Sequence, residues 1–282
     1  MTIKSLKYKR MGSKALVYFL LLFGVIFAAF PVLWLVSISA RANGEVFASP
    51  PSFLPKVLDL GAYKKIFQDP DKLRFFVNSY VIAIVVTFVT LFISMLTAYG
   101  FSRYEFRGKK IINMIIIGTQ TVPPIALMIP YFGLMVTFKL YDTYGALILT
   151  YLALTLPYGV LMMTGFFNTI PKSLDEAVLI DGGSRLLTLF RVIVPISLPG
   201  IVSTGLYTFL LSWNEFLFAL TLTKSNEMAT VPIGIQLLMG QHSYEWNEMM
   251  AMSFLGSLPI MLLFLFFQKY FLAGMAAGSL KD

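Results

Sequence analysis

The sequence predicts an all-α, polytopic membrane protein with six transmembrane helices, and three observations carry that prediction. Of its 282 residues, 57% are hydrophobic and only 13% are charged, whereas soluble domains are usually about 45–50% apolar and about 25% charged. Six stretches hold no charged residue, or a single one, over at least the roughly 20 residues that a helix needs to cross a bilayer. These stretches also lack the alternating polarity of barrel strands.

The six predicted spans follow one another with short or moderate segments between them. The spans cover 15–40, 75–102, 111–138, 143–171, 192–223 and 249–268. The flanking segments are the N-terminus at 1–14, a loop at 41–74, a loop at 172–191, a loop at 224–248 and a tail at 269–282. The first apolar run, of 26 residues, is longer than the roughly 7–15 residues of a cleaved signal peptide. A retained anchor is therefore expected at the N-terminus.

The distribution of basic residues predicts which segments face the cytoplasm. If the N-terminus is cytoplasmic, the inner segments hold 14 Lys and Arg against five acids, and the outer loops hold eight of each. Basic residues concentrate on the cytoplasmic side of membrane proteins, so both termini are expected to be cytoplasmic. The net charge of +8 is then a topology signal, and no nucleic-acid partner is needed to explain it.

Several kinds of chemistry are excluded by residue content. The chain has no cysteine and one histidine, His242, so it has no disulfide framework, thiolate metal site or cysteine nucleophile, and we assign His242 no role. It contains no Gly-x4-Gly-Lys-Ser/Thr loop, which ATP-hydrolysing proteins of that class need. A polytopic membrane enzyme remains an alternative; it normally needs clustered acids at the membrane face, and Asp175, Glu176 and Asp181 are the cytoplasmic cluster.

The segment between the fourth and fifth spans predicts a short helix with defined ends. Ser173 followed three residues later by Glu176 is a capping-box pattern, so a helix should begin there. Apolar residues at i, i+3 and i+4 from Leu174 give it one apolar stripe. Gly182 and Gly183 should end the helix. From the residues alone, this helix is either an interfacial linker or a handle for a soluble partner.

This segment resembles the signature loop of the permease subunits of ATP-binding-cassette importers, the inner membrane components of binding-protein-dependent transport systems. The pattern is Glu-Ala-Ala, three residues, Gly, nine residues and Ile-x-Leu-Pro. Glu176, Ala177, Gly182 and Pro195 match it at the expected spacing, and Val178 replaces the second alanine. A second stretch, Ala98–Lys109, looks like the family's other cytoplasmic-side motif. Two more, Ser212–Leu220 and Gln268–Lys281, are similar to the carbohydrate branch, and most of all to its shorter, six-span permease, the counterpart of the maltose system's smaller membrane subunit.

The resemblance implies the type I importer permease fold and a place in a larger assembly in the bacterial plasma (inner) membrane. This chain would form a heterodimer with a second permease, and the pair would carry a sugar or oligosaccharide delivered by an extracellular binding protein. Two ATPase subunits would bind ATP and Mg, with no cofactor or metal in this chain. The residues expected to couple to the ATPase are Glu176, Ala177, Asp181, Gly182 and Gly183. The tail residues expected to contact it are Gln268, Lys269, Gly274 and Gly278.

Glu215 is the one ionisable residue inside a predicted span. Such residues usually face a cavity or a partner, so Glu215 is a candidate for the translocation path or its outer gate, with a structural pair as the alternative. Trp213 is a candidate for stacking on a sugar or for anchoring at the interface. Asn214 and Gln120 are further polar candidates for the path. The resemblance places the membrane sugar site of the best-known relative in the partner permease, which leaves direct sugar contact by this chain open.

An importer permease for another solute, such as a polyamine or a phosphonate, is the second alternative. The segment Trp213-Asn214-Glu215 and the tail favour carbohydrate, and the nature of the sugar stays open.

Overall fold

Helices make up nearly all of the regular structure in this computed structural model, which describes residues 3–50, 52–240 and 245–279, without the side chains of 3–13, 15 and 271–279. The helices, in chain order, are α1 (Ile3–Ser39), α2 (Gly61–Gln68), α3 (Pro70–Arg103), α4 (Lys109–Thr119), α5 (Met128–Thr137), α6 (Tyr144–Asn168), α7 (Ser173–Ile180), α8 (Arg185–Thr188), α9 (Val194–Ile196), α10 (Leu198–Trp213), α11 (Leu217–Leu222), α12 (Val231–Leu237) and α13 (Trp246–Ser279). A π-helical turn, Leu189–Ile193, links α8 to α9.

The number of membrane-spanning helices agrees with the sequence prediction when bent helix pairs are included. Within the described residues, four helical segments are long and apolar enough to cross a bilayer. Two further pairs of helices meet the same test together, which brings the number up to six. The four unbroken segments are Leu16–Ser39, Pro70–Arg103, Tyr144–Asn168 and Trp246–Tyr270. The all-α, multi-span prediction is therefore confirmed.

The apolar runs at 111–138 and 192–223, each predicted as one span, overlap the two bent helix pairs. The first pair bends by 96° between Thr119 and Pro124, and the second by 81° between Ile196 and Leu198. Prolines lie at both breaks, and a proline removes one helical hydrogen bond and clashes with the preceding turn. In addition, α10 ends at Trp213, so Glu215 lies between two helices and not within one.

The chain divides into two units, the first of which comprises the residues up to Gln68 and 238–255. Its most buried charge is Arg41, whose side chain holds the start of the proline-rich loop. Arg41 Nη2 donates to the carbonyls of Ser52 at 2.5 Å and Phe53 at 2.8 Å. Lys65 Nζ lies 2.8 Å from Glu248 Oε1. These contacts order the loop that the sequence predicts at 41–74.

The second unit, 69–237 and the residues from 256 onward, is built around α3, which packs against α6 and α10. Asp69 begins α3 by accepting a bond from the backbone N–H of Asp71 at 3.0 Å, and Pro70 takes the first helical position, where no N–H is needed. An apolar core closes the other end of α3 and supports the segment that follows α6. Its buried members are Ala98, Tyr99, Met163, Phe167, Ile170, Leu189 and Ile193.

A second set of contacts holds the segment between α11 and α12 against α3, and we call it the loop latch (Asn78, Ser79, Asp142 and Tyr144). Asn78 Nδ2 donates to the carbonyls of Glu227 at 2.9 Å and Ala229 at 2.7 Å. Tyr144 Oη donates to Asn78 Oδ1, and Ser79 Oγ accepts from Val231 N at 2.8 Å. Asn78 is fully buried, and its amide is satisfied by these bonds.

Asp142 makes the loop latch sensitive to acid. Its Oδ1 accepts the backbone N–H of Lys224 at 2.9 Å and of Ser225 at 3.1 Å. Burial by itself raises the pKa of Asp142, but the N–H groups of Lys224 and Ser225, the Ser225 hydroxyl and the Lys224 charge together hold the pKa below its ordinary value of 3.8. Because the folded pKa is depressed, the stabilisation is complete above the unfolded value and is lost as the pH falls through the folded value.

We therefore expect the Lys224 and Ser225 amides to lose protection in hydrogen exchange, corrected for the intrinsic rate, as the pH falls below about 4. In the Asp142→Asn variant the two amides should exchange faster at neutral pH and show little further change with acid. Protection that is independent of pH in the unmodified chain would contradict this.

Candidate functional site

The helix α7 begins where the sequence predicts but not by the predicted capping box. The residue at the cap position is Lys172, which is already helical with φ −66° and ψ −21°, and its side chain makes no capping bond. A capping side chain must come from a residue with extended backbone, and Ser173 is inside the helix. The Ser173–Glu176 capping prediction is therefore wrong, although the helix it marked is present.

The end of α7 follows the glycine prediction closely. Gly182 has φ +81°, a conformation that glycine adopts without strain. Its N–H donates to Leu179 O at 3.1 Å, and the N–H of Gly183 donates to Val178 O at 2.8 Å. This pair of bonds is the Schellman arrangement, which satisfies the last helical carbonyls. A Cβ on Gly183 would lie 2.5 Å from Val178 Cγ1, so this glycine is needed for close packing.

Three buried polar side chains, which we call the strut, attach α7 to the spans. Tyr99 Oη donates to Asp175 Oδ1 at 2.7 Å, and Arg103 Nε lies 2.9 Å from Asp175 Oδ2. The Arg103 and Asp175 side chains are each 3% exposed. Arg103 Nη1 also donates to the carbonyl of Phe167 at 3.0 Å. The strut therefore joins α7 to the ends of both α3 and α6.

The sequence interpretation missed the strut because it grouped Asp175 with Glu176 and Asp181 as one cytoplasmic acidic cluster. In the structure Asp175 is buried while the other two are exposed. A signal was available, since Asp175 lies three residues before Val178 and therefore on the inward stripe of the helix. A carboxylate at such a position needs a buried cation or hydrogen-bond donors.

The opposite face of α7 is open and partly apolar. Ile180 is 85% exposed, and Leu186 at the start of α8 is 61% exposed. Glu176, Ala177 and Asp181 are exposed beside them. The structure therefore places four of the five predicted coupling residues, including Gly182, on one exposed surface, while Gly183 is half-buried. We call this surface the α7 face. Large apolar side chains exposed outside a span are typical of a protein–protein contact.

Glu215 makes a compact set of bonds at the junction of α10 and α11. It accepts a hydrogen bond from Tyr151 Oη at 2.8 Å and from the backbone N–H groups of Phe218 at 2.9 Å and Ala219 at 3.0 Å. Both of its oxygens are thus used to cap α11 and to satisfy a fully buried tyrosine. This geometry corresponds to the structural alternative for Glu215, in which the carboxylate pairs with neighbouring polar groups.

The two residues before Glu215 have different environments. Trp213 is 3% exposed, its Nε1 donates to Gly256 O at 3.0 Å, and its ring packs on Tyr80 at 4.8 Å. The expectation that Trp213 stacks on a sugar or anchors at the interface is therefore corrected, because the ring is enclosed by protein. Asn214 and Gln120 are exposed, with Gln120 at the break between α4 and α5.

The tail continues as a helix in the described part of the chain. Gln268 Nε2 donates to Leu265 O at 3.1 Å within the helix, and Lys269 Nζ lies 4.9 Å from the Tyr270 ring centre. Gly274 and Gly278 lie in the helical backbone of α13, where the side chains around them are not described. His242 falls in 241–244, outside the described residues.

Comparisons with known proteins place this chain in one family. A family model described as binding-protein-dependent transport system inner membrane component matches residues 90–276. The chain is 38% identical to the trehalose/maltose transport system permease of Thermococcus litoralis, over 96% of this chain and 99% of that one. It is 34% identical to the sulfoquinovosyl glycerol transport system permease of Agrobacterium fabrum, over 89% and 88%.

A solved structure shares the fold. It belongs to a bacterial ABC transporter involved in the import of the acidic polysaccharide alginate, and it matches with a TM-score of 0.77 at 21% identity. The match covers 96% of this chain and 99% of that chain.

Proposed function

The chain belongs to the family of binding-protein-dependent transport system inner membrane components, and we propose that it is a permease subunit of an ATP-driven importer of a sugar or oligosaccharide. With a second permease it forms the pathway for a substrate delivered by an extracellular binding protein. The names of the relatives support a carbohydrate, since they include trehalose/maltose and arabinooligosaccharide systems. The observation that carries the proposal is the exposed α7 face held by a buried strut.

The energy for transport comes from separate subunits. In this proposal ATP and Mg are bound by two ATPase subunits that contact the α7 face, and the lack of a phosphate-binding loop of the Gly-x4-Gly-Lys-Ser/Thr kind in this sequence supports it. The residues of contact are Glu176, Ala177, Asp181 and Gly182, with the tail residues Gln268, Lys269, Gly274 and Gly278 as a second contact. Both termini then lie on the cytoplasmic side of the inner membrane.

The strut explains how a movement of the ATPase reaches the membrane. Asp175 cannot leave its site without separating a buried ion pair, which costs free energy. A displacement of α7 is therefore passed to α3 through Tyr99 and Arg103, and to α6 through the Phe167 carbonyl. At its other end α3 carries Asn78, which holds the loop after α11. One rigid helix thus connects the ATPase contact to the far side of the unit.

Gly182 provides a direct test of the docking role. Nothing lies within 4 Å of a Cβ built on Gly182, so Gly182→Leu should leave the core intact. The φ of +81° makes the substitution cost about 1–2 kcal/mol locally. Because the new side chain projects from the α7 face, we expect ATP-driven uptake to fall to background in proteoliposomes while membrane insertion is retained.

A matched control for this variant is Gly108→Leu. Gly108 also has a positive φ, +88°, and also has nothing within 4 Å of a built Cβ, but it precedes α4 and lies outside the α7 face. This variant should keep most of its uptake. Normal ATP-driven uptake by Gly182→Leu would refute the docking assignment.

A further inference from the structure

Two tyrosines on neighbouring spans form a stacked pair that belongs neither to the strut nor to the α7 face. Tyr158 of α6 and Tyr207 of α10 have ring centroids 3.9 Å apart and an angle of 29° between their planes. Both lie well inside the helices Tyr144–Asn168 and Leu198–Trp213. Tyrosines of membrane proteins concentrate at the two membrane–water interfaces, so a pair at this depth requires a specific reason.

The pair is partly exposed, and its hydroxyls lack hydrogen-bond partners among the residues that the structure describes. Tyr207 is 38% exposed, and Tyr158 is half-buried. Neither hydroxyl has a hydrogen-bond partner in the backbone of 3–50, 52–240 and 245–279 or in the side chains of 14, 16–50, 52–240 and 245–270. A hydroxyl that faces hydrocarbon without a partner carries a free-energy penalty. The pair is therefore better suited to a water-filled space or a polar partner than to lipid.

The side of α10 that carries Tyr207 differs from the side that lines an apolar groove. On the same side as Tyr207, exposed positions recur at Leu211 and Asn214, one and two turns farther along. A different side of α10 lines a groove with α3 and α13 that is almost wholly apolar, through residues such as Ile201, Gly205 and Phe209. The tyrosine side differs from this groove because it carries two polar residues, Tyr207 and Asn214, beside the apolar Leu211.

We propose that Tyr158 and Tyr207 form a carbohydrate-stacking platform on this chain's wall of the translocation path. This proposal rests on the proposed function. An aromatic ring offers a flat apolar face to the C–H side of a sugar ring, while the phenol hydroxyl hydrogen-bonds to sugar hydroxyls. The mutual stacking of the two rings holds them in place, so the sugar meets an ordered surface. Such a contact is weak enough to release the sugar, which passage requires.

The experiment measures uptake and ATP hydrolysis together in proteoliposomes that contain the full complex and its binding protein. The probes are radiolabelled maltose, trehalose and arabinooligosaccharides. Uptake of at least one probe by the unmodified complex supports the proposed function independently of the variants, and the effect of the variants on that uptake then tests the platform alone. The variants are Tyr207→Phe, Tyr207→Leu and Tyr158→Leu, and the control is Tyr80→Leu, a half-exposed span tyrosine on the apolar groove.

If the platform contacts the sugar, each leucine variant should lower sugar uptake about tenfold. This factor corresponds to a loss of about 1.4 kcal/mol in the stabilisation of the sugar as it passes along the path. ATP hydrolysis stimulated by the binding protein should stay near its normal rate, so more ATP is used per sugar. Tyr207→Phe should have an intermediate effect because it keeps the ring, and the ratio of maltose to trehalose uptake should change. The Tyr80→Leu control should keep the normal ratio of ATP to sugar.

Two results would overturn the platform. One is uptake by both leucine variants at the rate of the unmodified complex. The other is a parallel loss of uptake, stimulated ATP hydrolysis and co-purification of the second permease, which would make the pair a contact between subunits.

Discussion

Replacement of Asp175 by alanine is expected to destabilise the assembled permease by about 3–5 kcal/mol, the usual cost of removing one partner of a buried ion pair. The guanidinium of Arg103 would remain buried, with its side chain 3% exposed and no counter-charge. Tyr99 Oη would lose its acceptor as well. The expected result is a clear fall in the thermal unfolding midpoint of the purified complex, together with loss of uptake.

The neighbouring acid is a matched control for this result. Glu176→Ala removes a carboxylate that is exposed on the α7 face, so we expect normal thermal stability and impaired coupling to the ATPase. The double variant Arg103→Met with Asp175→Leu should recover much of the lost stability, because the removal of both charges leaves no uncompensated ion. An Asp175→Ala complex that unfolds at the normal temperature would contradict the buried strut.

Replacement of Glu215 by alanine is expected to have the second-largest effect. It leaves the hydroxyl of Tyr151, a residue that is 1% exposed, without its acceptor. A buried hydroxyl without a hydrogen-bond partner lowers the free energy of unfolding by about 1–3 kcal/mol. In addition, the first N–H groups of α11 lose the carboxylate that caps them. We expect a lower unfolding midpoint and faster proteolysis at the junction between α10 and α11.

Two further variants separate a structural role of Glu215 from a role in the path. Adding Tyr151→Phe to Glu215→Ala removes the orphaned hydroxyl and should restore part of the stability and, with it, part of the uptake. If stability returns while uptake stays at background, Glu215 acts on the substrate or gate instead. Asn214→Ala serves as the control for stability alone, because Asn214 is exposed and its side chain bonds only to Leu210 O of α10 within the described residues.

Some structural features of this protein can be predicted from the sequence more fully than others. The apolar runs predict the spans, because a bilayer sets a minimum length for any helix that crosses it. The prolines near Thr119 and Ile196 indicate kinks, yet the bends of 96° and 81° depend on the helices that pack beside them. The glycines predict the end of α7, because a positive φ is a local property of the backbone.

Membrane helices limit how far side-chain environments can be predicted. In a soluble protein the polar face of a helix marks the side away from the core, but a lipid-facing side and a core-facing side are both apolar. Trp213, Asn214 and Glu215 therefore look like one motif along the chain. In the folded protein, one is buried, one is exposed and one caps a helix.

The sequence by itself determined the all-α fold class, the number of apolar spans, the short helix α7 with its glycine end, and the family. Each of these depends on residue content or on neighbours a few positions apart. The tertiary structure alone decided that Asp175 faces Arg103 while Glu176 faces outward, that Trp213 is enclosed, and that Tyr158 meets Tyr207. The partners in these contacts lie between about 40 and 75 residues apart along the chain, and only the packing of the helices brings them together.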